Sequence, residues 1–119
     1  MKIPTNALAA LYAEKLEDAY DFSLKNSVNL SADDQVFIYR QLVQYQNYIL
    51  IFKKEDGFIG LGRLMFTTAI YCDLTENGYT DRYCFENAIV ALTEALNMKS
   101  VDDEPVGYVA KRVFGKCSF

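Results

Sequence analysis

The chain has 119 residues, which suits one domain, and its 51% apolar and 24% charged residues fit a folded protein rather than a disordered one. Twelve Lys and Arg against sixteen Asp and Glu give a net charge of −4, a poor match to a nucleic-acid backbone. His is absent, which removes the commonest general base and the commonest zinc ligand together.

From about Pro4 to Lys25 the spacing predicts an amphipathic helix. Pro4 suits a helix start and Thr5 or Asn6 a cap, while Leu8, Leu11, Tyr12, Leu16, Ala19 and Tyr20 recur at steps of three and four. Asn26 to Leu30 breaks the pattern as a loop. Ser31 then opens a second helix, with Asp33 and Asp34 in its first turn, predicted to reach about Phe52. Ile38, Leu42, Tyr45, Ile49 and Phe52 form a heptad seam, and Val36, Tyr39, Val43 and Leu50 a second stripe beside it. The second stripe is explained either by contact with the protein's own sheet or by a helix-mediated homodimer.

Lys53-Lys54-Glu55-Asp56-Gly57 reads as a charged turn, and Gly57, Gly60 and Gly62 as a flexible crossover, since no helix or Gly-Lys-Ser/Thr follows them. Arg63 to Leu74 reads as a strand, Glu76-Asn77-Gly78-Tyr79 as a tight hairpin turn, and Tyr79 to Glu86 as the returning strand. A helix from Asn87 to Asn97, capped by Asn87, precedes a polar turn region over Val101–Gly107 and a last strand over Tyr108–Phe114. The expected fold is α+β in the order α-α-β-β-α-β: a helical hairpin, a small antiparallel sheet and one further helix. One domain spans residues 1–119, with a helical arm over about 4–52 and a sheet region over about 58–119.

Hairpin register stays open at this level. With a two-residue Asn77-Gly78 turn, Cys72 pairs with Tyr83 and Ile70 with Phe85, so Phe85 belongs to the core. A three-residue turn with a bulge slips the pairing by one and places Phe85 on the face of Arg63, Thr67, Tyr71 and Asp73.

Cys72, Cys84 and Cys117 are odd in number and form no CxxC pair, which predicts reduced, mostly buried thiols. The opening residues lack a signal-peptide apolar core, and no stretch approaches the roughly 18 apolar residues of a membrane span. A cytoplasmic location and no membrane partner are therefore expected. The serines fall in predicted loops, caps or the tail, and the acidic runs Asp33-Asp34 and Asp102-Asp103-Glu104 read as solvated faces. No enzyme activity, metal or cofactor is expected. Arginines and aromatics on strands are the best binding candidates, because a guanidinium grips phosphate bidentately and a flat ring stacks on a base. Arg63, Arg82 and Arg112 lie among Tyr71, Tyr83, Phe85 and Tyr108. The competing structural explanation is cross-strand pairing, such as Asp73 with Arg82.

Phe66-Thr67-Thr68, Gly78-Tyr79, Arg82-Tyr83-Cys84-Phe85 and Ala91-Leu92 form a spaced pattern over roughly residues 64–96. It resembles that of small phage- and prophage-encoded proteins. In outline the chain is also similar to the type 1 Thoeris anti-defence family, phage sponges that bind cyclic ADP-ribose isomers between the subunits of an oligomer without cleaving them. The resemblance implies that Phe85 stacks on adenine, Arg112 covers its other side or meets a phosphate, and Arg63 neutralises the diphosphate. Thr67, Thr68 and Asn87 would add hydrogen bonds, and the helices would supply a homodimer or higher homo-oligomer in the cytoplasm of an infected bacterial host. The alternative is a protein-binding phage inhibitor of a CRISPR or restriction complex.

Overall fold

The computed structural model describes residues 16–113 and confirms the α+β class. Helix α1 (Leu16–Lys25) and helix α2 (Ala32–Tyr39), which widens into a π-helical turn over Arg40–Gln44, precede five strands. These are β1 (Leu50–Lys54), β2 (Gly57–Arg63), β3 (Thr68–Cys72), β4 (Asp81–Phe85) and β5 (Ala110–Val113), with helix α3 (Ala88–Asn97) between β4 and β5. All neighbours are antiparallel and the spatial order β1-β2-β3-β4-β5 follows the chain. The first predicted helix is helical over the described Leu16–Lys25, and its span over 4–15 lies outside the described residues. Among the described residues, no helix is long and apolar enough to cross a membrane.

The second helix and the expected glycine crossover differ from expectation. The second helix does not reach Phe52: a backbone bond from Tyr45 N–H to the Arg40 carbonyl (2.7 Å) widens it, and Gln46 at φ 54° ends it. Leu50, Ile51 and Phe52 then run as a strand with every side chain fully buried, because the sheet is covered on both faces. Gly60 and Gly62, expected in a flexible crossover, lie inside β2 instead. A Cβ on Gly60 would stand 2.8 Å from Leu74 Cδ1, and one on Gly62 would stand 2.8 Å from Tyr71 Cε2, so these glycines let side chains lie flat on the sheet.

One sheet face, carrying Leu50, Phe52, Ile59, Leu61, Ile70, Cys72, Tyr83 and Phe85, packs on Ala91, Leu92 and Ala95 of α3 and on Ala19 and Phe22 of α1. The other face carries Ile51, which joins Ile38, Leu42 and Leu74 in a second core against which Tyr48, Tyr71 and Tyr79 pack. Helix α1 feeds both cores, Tyr20 and Leu24 joining the second. In α2 the heptad positions Ile38 and Leu42 are buried, whereas Val36 and Tyr39 of the second stripe stay about half exposed.

Strand β1 is a sheet edge, and α1 closes it. Ser23 Oγ accepts from Ile51 N–H (3.1 Å), Ser27 Oγ accepts from Lys53 N–H (2.8 Å), and Val28 N–H donates to the Lys53 carbonyl (3.0 Å). These contacts occupy backbone groups that would otherwise template a foreign strand. Nearby, Ser31 and Asp34 cap α2 reciprocally, at 3.1 and 2.9 Å, and Asp34 also accepts from the Lys53 ammonium.

Ser23→Ala leaves the Ile51 N–H buried without its acceptor and is expected to lower stability by about 1–3 kcal/mol. A fall in the urea midpoint at unchanged slope checks this. Asp34→Asn is expected to cost about 1 kcal/mol at neutral pH. Hydrogen bonding to Lys53, then to the Ser31 backbone, holds the Asp34 carboxyl below its ordinary 3.8, so the stabilisation is complete above that value and is lost as pH falls through the lower folded one. Unfolding midpoints of the two proteins should therefore converge in strong acid.

Candidate functional site at the β2–β3 turn

The register between β3 and β4 decides what each face presents. Thr75 and Gly78 exchange backbone bonds at 2.8 and 3.2 Å, so the two turn residues are Glu76 and Asn77, not Asn77 and Gly78. Moving the turn by one residue slips the pairing by two: Ile70 faces Tyr83, Thr68 faces Phe85 and Cys72 faces Asp81. A slip of two preserves the side, and Phe85 is fully buried against α3. Its expected role as a stacking face is corrected on that ground. The expected Asp73–Arg82 pair is also absent from the ladder, since Tyr71 stands opposite Arg82 and Asp73 lies beyond the strand at φ 60°.

The segment expected to be one strand over Arg63–Leu74 folds back on itself. Arg63 pairs with Thr68, and Leu64 N–H donates to the Thr67 carbonyl (2.9 Å), which leaves Met65 and Phe66 at the tip. No Gly, Asn, Asp or Pro marks this turn, so nothing in its composition announces it. Its two tip side chains are 88% and 86% exposed, the most exposed large apolar groups among the described residues.

Under the tip lies a recess of about 250 Å³ bordered by Arg63, Phe66, Thr67, Thr68, Glu86 and Ala88. It gathers three of the six sequence-derived site residues, Arg63, Thr67 and Thr68. Arg63 is exposed, Thr67 half-buried and Thr68 buried. Asn87 sits between Glu86 and Ala88 at the start of α3. Its Oδ1 accepts from the backbone N–H groups of Ile89 (2.8 Å) and Val90 (3.2 Å), so the cap occupies that oxygen. The recess thus offers one guanidinium, one accessible hydroxyl and one flat ring, opposed by the Glu86 carboxylate. Phe66 is the residue that sequence reasoning missed here. Its signal is three apolar residues, Leu64, Met65 and Phe66, between a cationic and a hydroxyl residue, legible only once the fold-back is known.

Arg112 is elsewhere. It stands opposite Arg82 on β4, and Arg82 in turn opposite Tyr71, in a row across the sheet face remote from α3. Tyr71 meets Tyr48 and Tyr79 edge-on at ring separations of 5.2 and 4.8 Å. Burial raises the Tyr71 phenol above its ordinary value, while the nearby Arg82 guanidinium pulls it down. The guanidinium Nε of Arg82 is shielded from solvent. This face therefore holds a tyrosine and arginine wall, and Arg63 lies in register with Thr68 and Phe85 on the opposite side.

The thiols are structural. Cys72 and Cys84 are buried and free, and burial, reinforced by Asp81 and Asp73, pushes Cys72 up to about 12, where thiolate chemistry is suppressed. Cys117 lies outside the described residues. Among the described residues, no group of three or more His, Cys, Asp or Glu side chains is placed to hold a metal. Comparisons with protein-family models, with curated proteins and with solved structures find no match.

Gly62→Ala forces a Cβ into the Tyr71 ring and is expected to cost about 1–3 kcal/mol through overpacking. Chemical denaturation checks the loss, and near-ultraviolet circular dichroism should report the displaced tyrosines.

Proposed function

We propose that this protein binds a small anionic nucleotide at the β2–β3 turn and sequesters it without cleaving it. One juxtaposition supports this: the exposed Phe66 ring, the Arg63 guanidinium and the Thr67 hydroxyl border a single recess. A ring stacks on a base, a guanidinium grips phosphate through two parallel hydrogen bonds, and a hydroxyl orients a ribose or phosphate oxygen. In this proposal Phe66 takes the stacking role first assigned to Phe85. The resemblance to type 1 Thoeris anti-defence proteins points to a cyclic ADP-ribose isomer as the ligand and to the cytoplasm of an infected bacterium as the setting. A recess of about 250 Å³ lies below the common ligand-pocket range, so it holds part of such a molecule. A second copy, associating through the α2 face that leaves Val36 and Tyr39 exposed, completes the enclosure.

A second proposal draws on the same turn. Leu64, Met65 and Phe66 form a projecting apolar tip, and a protruding aromatic next to an arginine has the composition of a protein-binding hot spot. On that basis the chain inhibits a phage-defence protein complex by docking the tip.

Titration calorimetry with cyclic ADP-ribose isomers separates the two. The sponge proposal expects heat with at least one isomer, release of the intact ligand on heating, and affinity losses of about tenfold or more in both Arg63→Ala and Phe66→Ala. Phe66 is exposed at the tip, so the unfolding midpoint of Phe66→Ala should not move. Absence of heat with every isomer overturns the sponge. Capture of a CRISPR or restriction complex that is lost in Met65→Ala and Phe66→Ala then favours the tip.

A further inference from the structure

Lys54 ends β1 on the face that packs on α3, and it is only 6% exposed. Leu50 and Phe52, on the same face of β1, are core residues, and the Lys54 Nζ lies 5.6 Å from the centre of the Phe52 ring. A lysine in such surroundings normally turns its ammonium to solvent along its own stem. Lys54 lines a recess of about 290 Å³ between the end of β1, the segment after α1 and the end of α3.

The charged groups around that recess come from two elements. Lys53 and Glu55 flank Lys54 in the chain, and Lys53 is already tied to Asp34 and to the Asn29 carbonyl (2.8 Å). From beyond α3, Lys99 lines the recess and Asp103 acts on Lys54 through space. The segment after α1 contributes only neutral Asn26 and Val28, and α3 and its cap contribute apolar Leu96 and Met98. Asp103 accepts from the backbone N–H groups of Lys99 (2.8 Å) and Ser100 (3.1 Å), so its carboxylate is held by that turn. Burial prevails over Asp103 and brings the Lys54 ammonium down to about 8. At neutral pH about a tenth of Lys54 is therefore the free amine, against a negligible share of an ordinary lysine.

We propose that Lys54 is a covalent capture site for a small aldehyde bearing a carboxylate, which condenses with the amine in the recess beside Lys99. Lys54 first gives up its ammonium proton to solvent. The free amine adds to the aldehyde carbon, forming the C–N bond, and one N–H proton passes to the former carbonyl oxygen. The carbinolamine then loses its hydroxyl with the second N–H proton as water, leaving C=N. Of the lysines at the recess, Lys53 is tied to Asp34, which leaves Lys99 as the cation that pairs with the substrate's carboxylate against Glu55 and Asp103. Apolar Leu96 and Met98 limit water at the imine. This site is separate from the β2–β3 turn and does not depend on nucleotide binding.

Glyoxylate with cyanoborohydride, which reduces an imine to a stable carboxymethyl amine, tests the site on the intact protein near neutral pH. Peptide mass spectrometry is expected to place the group on Lys54 about tenfold faster than on Lys53 or Lys99. The Lys54 rate should level off as pH passes about 8, while the rates of exposed lysines go on rising. Lys54→Met, an apolar replacement of similar length, should remove the fast phase and retain a cooperative unfolding transition. Equal labelling of the three lysines, or a Lys54 rate still climbing well above pH 8, overturns the proposal. Propionaldehyde in place of glyoxylate tests the carboxylate: comparable selectivity for Lys54 with both aldehydes overturns that part of the assignment.

Discussion

The backbone pairing of Thr75 with Gly78 is the constraint on which the rest of the molecule turns. Side chains alternate along a strand, so one pairing at the turn dictates the facing of every residue in β3 and β4, and through Cys84 and Ala110 of β5 as well. It sends Ile70, Cys72, Tyr83 and Phe85 beneath α3 and leaves Tyr71, Arg82 and Arg112 on the other side. A slip of a single residue would bury two guanidinium groups under an apolar helix. The cost of stranding such charges, several kcal/mol each, makes this register strongly preferred. The division of labour between the two faces follows from that preference.

The β2–β3 turn stands out because local chemistry and global fold disagree there. Met65 and Phe66 occupy tip positions where Gly, Asn or Asp normally sit, and they expose large apolar surface for no gain in core packing. At other points the chain follows its local rules: Asn87 caps α3, Ser31 and Asp34 cap α2, and the glycines of β2 sit where aromatic and aliphatic side chains need room. The tip joins Gln46, at φ 54°, as a place where the residues depart from local preference, and at the tip no core packing is gained in return.

Much of the fold is legible in the sequence. The α3 cap, the helical start at Ser31, the core face of β3 and the α+β class all follow from spacing and end signals that act over a few residues. What fails is failure at longer range. Ile49-Leu50-Ile51-Phe52 fits a helical seam as well as a buried strand, and only the coverage of both faces by α1, α2 and α3 decides for the strand. The fold-back at Met65-Phe66 carries no turn residue, so an unbroken strand from Arg63 to Leu74 was the natural expectation. The candidate site fared likewise. Of the residues that the resemblance implies, Arg63, Thr67 and Thr68 border one recess, whereas Phe85, in register with Thr68, is buried beneath α3 and Arg112 stands on the other face. Lys54 escaped notice because a lysine in a charged run looks solvated until its neighbours are known.

The distribution of polar groups narrows the chemistry further. Asp34 and Asp103 accept backbone N–H bonds that organise a helix start and a turn, and Asp56 takes the Ser100 hydroxyl (2.5 Å) and Val101 N–H (3.0 Å) to tie the β1–β2 turn to the segment after α3. Ser23 and Ser27 close the sheet edge. Each of these groups is fixed as an acceptor in the scaffold, and moving it would release a backbone donor. The side chains left with reactive or adhesive character are of another kind: a guanidinium and a ring at a projecting turn, and an amine held in a recess. The proposed capture steps, stacking with ion pairing at the turn and condensation at the recess, use these groups, while the carboxylates and hydroxyls hold the frame that positions them.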